Sequence, residues 1–589
     1  MAEATRIRFR GERAAAAMFL TLSAGLLLFS LRALEQTADS LDYALSARTG
    51  TGMYHPHHLL FIPIVRLFLL GLARAGIGPD PILAGQIHNI FWAIVAAVCL
   101  FRVAERLLGS LFGGIVAAFF LLVARGFWLY STQLEVYVPA TGCLALMTVM
   151  LMTRPRDSLR VGQGFLLSFL LALAVLYHQS SLLFCIPLGY WLIRGWERER
   201  SWKNLWVLAP AGAVVLGAYL IAFRYSDVET RIPDVLSVTQ RSTLGGFVRF
   251  CLAYGFYPNT GWGTFRNLSV MGVGRLVHSQ VQCLVTFPWI LRFIVIPGFG
   301  LVLAGLVFWH ALRSARGAAE APERRFLLLW LLTYYGFFLW WFPGEREFCI
   351  TPLYPLILLA ALAVKDLSDT VGAPARRRAW VSGAGLGLLG VVAAINATQT
   401  ILPCHRDRGS AYAAASTLAG RLPAECLIMG DYSVGQNLRY YFGRERFWET
   451  AMPLFYFYRG LPLPERYRPE REECLAVDLS FVSPDHSLGG LDAYRYPAAW
   501  TRFLTWLLGV EEGARPGAVT SCRRFEGMGD IEGSAYLRLH AERQPMDGLR
   551  DIFRQLDDAI EKSSGDRPFE TFLKAVNPIP PDPSSVKGP

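Results

Sequence analysis

About eleven stretches of this chain approach the roughly 20 apolar residues needed to cross a bilayer, which restricts it to folds whose backbone is satisfied inside lipid. They fall at 14–34, 82–101, 107–124, 136–152, 162–177, 179–194, 204–223, 287–311, 325–342, 350–364 and 379–401. With 53% hydrophobic and only 17% charged residues, the composition excludes an ordinary soluble fold and points to an all-α polytopic membrane protein. Arg6, Arg8, Arg10 and Arg13 precede the first run and no small-residue cleavage site follows it, so it is expected to remain as an anchor.

Basic residues set the orientation, because short loops rich in Lys and Arg stay in the cytoplasm. With the N-terminus inside, the inward segments carry Arg102 and Arg106, then Arg154, Arg156 and Arg160, then Arg194, Arg198, Arg200 and Lys203. Arg313, Arg316, Arg324, Arg325, Lys365, Arg376, Arg377 and Arg378 continue the pattern, whereas the short outward loops hold little beyond Arg125 and Arg346. The net charge of +11 is therefore a topology signal directed at lipid headgroups, and nucleic acid is not implied.

On this topology the unusual polar clusters all face outward. They are Asp39-Ser40-Leu41-Asp42 with His55-Pro56-His57-His58, then Glu135-Val136-Tyr137, Tyr177-His178-Gln179 and Glu345-Arg346-Glu347. Ionisable groups at the membrane edge are costly and usually face a protein interior or an aqueous cavity, so clusters from four outward turns suggest one site. The stretch from His57 to Arg74 is apolar but interrupted by Pro63 and Arg66, and it reads as an amphipathic helix on the outer interface. Outer loops are expected at 35–81 and 226–286; the second is rich in Gly, Tyr and Trp and long enough to cap a cavity. The membrane domain thus spans 1–401.

From 402 to 577 the composition becomes that of a small α/β domain, extracytoplasmic if the count of crossings is odd. Leu427–Asp431 and Leu475–Val482 read as buried strands, and 411–420, 435–442 and 547–562 as helices. Cys404, Cys426, Cys474 and Cys522 form an even set available for pairing in an oxidising compartment, and the Pro-rich end, 578–589, is expected to be disordered. Gly385-Leu-Gly387-Leu-Leu-Gly390 matches a dinucleotide fingerprint by letter. It lies inside an apolar run with no strand before it, so it reads as small residues for helix packing.

The order of span, acidic pair, His-Pro element, interfacial helix, further spans and soluble tail resembles the lipid-linked glycosyltransferases of the GT-C fold, which include protein O-mannosyltransferases and aminoarabinose transferases. More closely, Ala38-Asp39-Ser40 followed by Gly52-Met-Tyr-His55-Pro56 is similar to the Gly-Asp-Ser … His-Pro-Pro pattern of a membrane family related to the O-mannosyltransferases. Leu134-Glu135-Val136-Tyr137 resembles its Glu-Val-Tyr element, and the stretch from Arg346 to Pro355 resembles its Arg-Tyr … Pro segment. The likeness covers roughly 14–365, and His57-His58 stands where that family has Pro-Gly.

What the resemblance implies is transfer of a sugar from a polyprenyl-phosphate-linked donor to an acceptor (protein hydroxyl, lipid or glycan), with inversion, on the outer face of a bacterial inner (plasma) membrane. Asp39 is then the general base, taking the acceptor proton, and Asp42 assists, orients, or shares a divalent cation. The leaving phosphate needs cationic or donor groups, for which Arg346, His55, His57, His58 and His178 are candidates, with Arg48 and Arg125 behind them. Glu345, beside Arg346, joins this substrate-binding set, and Arg346 between two glutamates also fits a structural ion pair. Glu135 and Tyr137 are assigned to orienting the catalytic loop or the sugar. No metal is assigned, because the three clustered histidines lack a clear partner set. The alternative from another class is a transporter or flippase for a lipid or solute. That reading calls for inverted repeats and broken helices in both halves, and no clear repeat is present.

Overall fold

Each of the eleven apolar runs coincides with helical backbone in the computed structural model, which describes residues 2–78, 80–153, 159–194, 202–225, 247, 251, 268–316, 321–369, 375–449, 474–478, 507, 521–531 and 534–545. The chain divides into two units, Met1–Asp407 and Arg408–Pro589. The cap expected from the 226–286 loop falls mainly outside the described residues, as do the helix expected at 547–562 and the tail at 578–589.

The first unit contains α1 (Ala2–Ser30), α2 (Ala38–Thr49), α3 (Phe61–Arg74), α4 (Pro81–Leu108), α5 (Leu111–Val123), α6 (Arg125–Thr132), α7 (Tyr137–Met152) and α8 (Val161–Tyr177). There follow α9 (Cys185–Arg194), α10 (Leu208–Tyr225), α11 (Val270–Leu284), α12 (Arg292–Ala315), α13 (Ala321–Trp341), α14 (Ile350–Asp369), α15 (Ala375–Asn396) and the short α16 (Leu402–Arg406). Among the described residues, six helical stretches are long and apolar enough to cross a membrane: Gly11–Ser30, Pro81–Leu108, Trp202–Arg224, Arg292–Ala315, Glu347–Ser368 and Gly383–Arg421. A seventh arises if α5 and α6, bent by 65° at their junction, form one broken span. Shorter apolar helices, Tyr137–Met152, Val161–Tyr177 and Gln179–Ile193, account for further runs of the expected eleven. Tyr137–Met152 has 16 residues and rises about 24 Å, short of the roughly 30 Å hydrocarbon core. The polytopic all-α architecture stands.

Helix α4 is the axis of the unit. Asp80 caps its start by accepting from the Ile82 N–H at 3.0 Å, Pro81 occupies the first turn, and Gly109 ends it at φ 65°. It packs against α1, α3, α5, α7 and α14. Small residues permit that closeness: a Cβ on Gly142 would sit 2.6 Å from the Trp92 ring and 3.1 Å from the Trp92 carbonyl. The short amphipathic helix expected after His57 is α3, and Arg66, which interrupts its apolar pattern, has a local task. Its guanidinium donates to the carbonyls of Ala47 at 2.7 Å and Arg48 at 3.3 Å, closing the C-terminus of α2.

At one end of α13, two arginines share one buried carboxylate. Arg324, completely buried, makes two 2.8 Å hydrogen bonds to Asp366 of α14, whose carboxylate also accepts from Trp309 at 3.0 Å and Arg313 at 3.3 Å. His310 lies between them: Arg324 donates to its Nδ1 at 2.9 Å and its Nε2 reaches the Leu359 carbonyl at 2.8 Å. Because guanidinium only donates, Nδ1 is the bare nitrogen. Glu105, near the end of α4, pairs with Arg13 at 2.7 Å and Arg102 at 3.1 Å.

The second unit holds α17 (Ser410–Arg421), β1 (Leu427–Gly430), α18 (Tyr432–Phe442), β2 (Phe447–Glu449), β3 (Cys474–Asp478), β4 (Ser521–Ile531) and β5 (Ser534–Pro545). Its sheet runs β2-β1-β3-β5-β4, parallel through β2, β1 and β3 and antiparallel through β3, β5 and β4. Ala414, Leu418, Ile428, Leu438 and Ala476 form its core. Of the four cysteines in the expected oxidising set, Cys426 and Cys474 are joined in a disulfide, whereas Cys404 is free and donates to Glu35 at 3.0 Å. The side chain of Cys522 lies outside the described residues.

Replacing Gly142 with Leu should destabilise the protein by about 1–3 kcal/mol through overpacking against Trp92. Thermal unfolding of the purified variant in detergent checks this; an unchanged melting temperature would mean that α4 and α7 are not in the contact described.

Candidate active site

The site is assembled at helix breaks. α2 starts because Thr37 caps it, accepting from the Ser40 N–H at 3.0 Å, and this puts Asp39 in the first turn with its side chain exposed. The Thr37 hydroxyl also donates to Glu135, and the Ser40 hydroxyl reaches the same Glu135 oxygen at 3.3 Å. Glu135 lies in the break between α6 and α7, and α4 holds that break open. The side-chain amide of Asn89 donates to the carbonyls of Glu135 at 2.7 Å, Gln133 at 2.8 Å and Tyr130 at 3.3 Å. Gln86 serves Ala33 at 2.8 Å and Thr132 at 2.7 Å. Burial, and next the neighbouring Asp39 charge, push Glu135 well above the usual carboxylate range.

A second acidic arm comes from the segment after α13. Ser279 of α11 donates to the carbonyls of Pro343 at 3.2 Å and Gly344 at 2.9 Å, and Phe348 stacks on Phe338 at 4.6 Å. So held, Glu347 accepts from Tyr137 at 3.0 Å and Tyr130 at 3.4 Å, within electrostatic reach of Asp39. Arg346 is exposed and makes no ion pair with Glu345 or Glu347 among the described residues, so the structural pair that its sequence neighbours suggested is not formed. Its charge acts on Arg125 and on the ring of His278 as well as on the two glutamates beside it. Arg125, at the bend between α5 and α6, is fixed by Thr400 at 3.2 Å and the Gln282 carbonyl at 3.3 Å. Thr400 belongs to a π-helical turn, Ala397–Ile401, and also meets Thr286 at 2.6 Å. Converging positive groups without a carboxylate bridging them make an anion-receptive face.

Histidines form the third part. His55 and His58 stack with centroids 4.2 Å apart and planes 9° from parallel, His57 lies 5.4 Å from His55, and Tyr43 meets His58 edge-on at 4.8 Å. The loop is pinned: the Gln179 N–H donates to the His57 carbonyl at 2.9 Å, Leu60 N–H to the Leu176 carbonyl at 3.0 Å, and the Tyr219 hydroxyl to the Pro56 carbonyl at 2.5 Å. His178, in extended backbone after α8, accepts at Nδ1 from the Ser180 N–H at 3.3 Å, so its hydrogen sits on Nε2. Its ring is 4.7 Å from that of Tyr137. Burial depresses His57 to about 4, and burial with the charge of His57 takes His178 to about 3. These rings are neutral at pH 7, which weakens the expectation that they bind phosphate.

Asp39, Glu135, Tyr137, Arg346, His55, His57, His58 and His178 therefore belong to contiguous surroundings, with Tyr137 touching both the acidic and the histidine part. Asp42 follows one turn after Asp39, half-buried. Glu347 is the carboxylate that accepts from Tyr137 and Tyr130, while the Glu345 carbonyl accepts from the Cys349 thiol at 4.0 Å. Tyr130, Tyr43 and Glu347 were not singled out as site residues by sequence. Glu345 and Glu347 are chemically alike there, and Tyr130 and Tyr137 align only across a broken helix. No group of three or more His, Cys, Asp or Glu side chains arranged to hold a metal ion occurs among the described residues.

No protein-family model and no curated protein matches the chain. Among solved structures, it aligns with the oligosaccharyltransferase of Archaeoglobus fulgidus tethered to an acceptor peptide containing the NVT sequon, at a TM-score of 0.50 and 14% identity, covering 83% of this chain and 70% of that one. The same enzyme with zinc and sulfate aligns at 0.47, 11%, 83% and 70%. ArnT from Cupriavidus metallidurans bound to undecaprenyl phosphate aligns at 0.47, 13%, 89% and 97%. The class defined is a polytopic membrane protein of GT-C-like fold. Its particular likeness, to the archaeal oligosaccharyltransferase, is one of fold.

Two outcomes are expected. Asn89→Leu leaves the carbonyls around Glu135 without a donor and should cost about 1–3 kcal/mol per buried group left unpaired, read as a fall in melting temperature. For pH, His57 and His178 refuse protons that the unfolded chain takes up below about 6.5. Stability is intact above that pH and is lost as the pH falls toward 4, so the melting temperature should drop across this window and drop less in His57→Asn. A profile flat from pH 7 to 4.5 would contradict the burial of these rings.

Proposed function

We propose that this chain is an inverting glycosyltransferase, moving a sugar from a polyprenyl-phosphate-linked donor to an acceptor hydroxyl or amine on the outer face of a bacterial inner membrane. The observation that carries the reading is the meeting of Asp39 with Glu135, Glu347 and Arg346, from separate segments, at the ends of membrane helices. A lipid-linked donor keeps its tail in the bilayer and its phosphosugar at this level. Asp39 is exposed and is the base by motif likeness; Glu135, held toward its protonated form by burial, is the poorer base and orients the first turn of α2 through Thr37 and Ser40. Arg346 and Arg125 take the charge that develops on the leaving phosphate. Tyr130 and Tyr137 fix Glu347 between the two functions. Asp42 supports Asp39 from the next turn.

The test is transfer from a radiolabelled polyprenyl-phosphate hexose in membranes containing the full chain. Asp39→Asn should lower the rate by roughly 10²–10⁴, the usual contribution of a general base, and Arg346→Ala should raise the KM for the donor. Full activity of a well-folded Asp39→Asn protein removes Asp39 as base, and loss of donor dependence on Arg346 removes the phosphate assignment.

A further inference from the structure

We propose that His55, His57, His58 and His178 form an acceptor subsite for a neutral, hydroxyl-bearing carbohydrate, across Asp39 from the phosphate-binding arginines. The inference rests on the transferase reading and adds the class of acceptor.

Three observations carry it. The contacts run in order from Arg125 and Arg346, past Tyr130 and Glu347, to Tyr137, His178 and the paired rings of His55 and His58. Asp39 meets this order at Glu347 and Glu135. In an inverting displacement the acceptor oxygen approaches opposite the departing phosphate, so an arginine end for the phosphate assigns the histidine end to the acceptor. The bond from the anomeric carbon to the acceptor oxygen forms as the bond to the phosphate oxygen breaks. The phosphate leaves with the electron pair, and the acceptor hydroxyl proton passes to Asp39.

The second observation is a buried vacancy in hydrogen bonding. His58 is 4% exposed and its Nε2 has no partner among the described residues, although unpaired buried polar groups are rare in native proteins. A ligand hydroxyl can both donate and accept, and so pairs with either tautomer. The third is the character of the surface. The neutral imidazoles of His57, His58 and His178 offer no charge to a phosphate or carboxylate, whereas the Nε2–H of His178 and the ring faces of His55, Tyr43 and Tyr137 suit hydroxyl groups and the C–H face of a sugar. The loop is pinned at the backbone of Pro56, His57 and Leu60, so the rings are held before any ligand arrives.

The experiment uses the full chain in lipid nanodiscs and two sets of probes. One is a panel of methyl glycosides of glucose, mannose, galactose and N-acetylglucosamine; the other is undecaprenyl phosphate alone. The wild type should bind at least one glycoside saturably. His58→Ala, and independently His178→Leu on a different loop, should weaken that binding tenfold or more and leave undecaprenyl phosphate binding within twofold. His58→Gln, which keeps a polar group, should restore most of the glycoside affinity. Arg346→Ala should do the reverse, weakening undecaprenyl phosphate only. The proposal is overturned if no glycoside in the panel binds, if binding is indifferent to both histidine changes, or if the histidine changes weaken undecaprenyl phosphate instead. Glycoside binding that depends on His58, in a protein that binds no undecaprenyl phosphate, would sink the transferase reading while upholding the carbohydrate site.

Discussion

An apolar environment does not tolerate a broken helix unless something supplies the hydrogen bonds that the break removes, and here Asn89 and Gln86 of α4 supply them. The carbonyls of Tyr130, Thr132, Gln133 and Glu135 would otherwise be stranded where α6 ends and α7 has yet to begin. With them satisfied, Glu135 can stand beside Asp39, and Tyr130 and Tyr137 can reach Glu347 from opposite sides of the break. The acidic arrangement is thus a by-product of α4 being long and lined with two amides at i and i+3.

The two ends of α13 treat charge in opposite ways. Arg324 and Arg313 share the Asp366 carboxylate, and removing one partner of such a buried pair typically costs about 3–5 kcal/mol. Beyond Trp341, Arg346 has no bridging carboxylate among the described residues although two glutamates flank it. The first arrangement holds helices together. The second leaves an exposed guanidinium whose charge is felt by Glu345 and Glu347 without a direct ion pair to either among the described residues.

The helical runs, the short helix α3 and the proximity of segments bearing Asp39, Glu135, His178 and Arg346 were legible in the sequence, because apolar length and the cost of ionisable groups at the membrane edge are local properties. Three features were not. Glu345 and Glu347 differ only in which way a short 3-10 turn points them, and that is decided by Ser279 and Phe338, far away in sequence. The run at 162–177 is apolar but ends at His178, whose extended backbone is set by tertiary contacts. Strands β4 and β5 escaped notice because Arg523, Arg524, Glu526, Arg538 and Arg543 interrupt any apolar alternation. They are placed by pairing with each other and with β3, which no single segment announces.

The π-helical turn at Ala397–Ile401 inserts one residue into the last long helix, and one residue is about 100° of rotation. That phase change is what lets Thr400 face Arg125 while, four residues later, Cys404 meets Glu35 and His405 meets the Arg32 carbonyl at 3.0 Å. The chain therefore leaves its membrane unit with its azimuth set: the helix that leads out is clocked, like a keyed shaft, against both the arginine of the site and the end of the first helix.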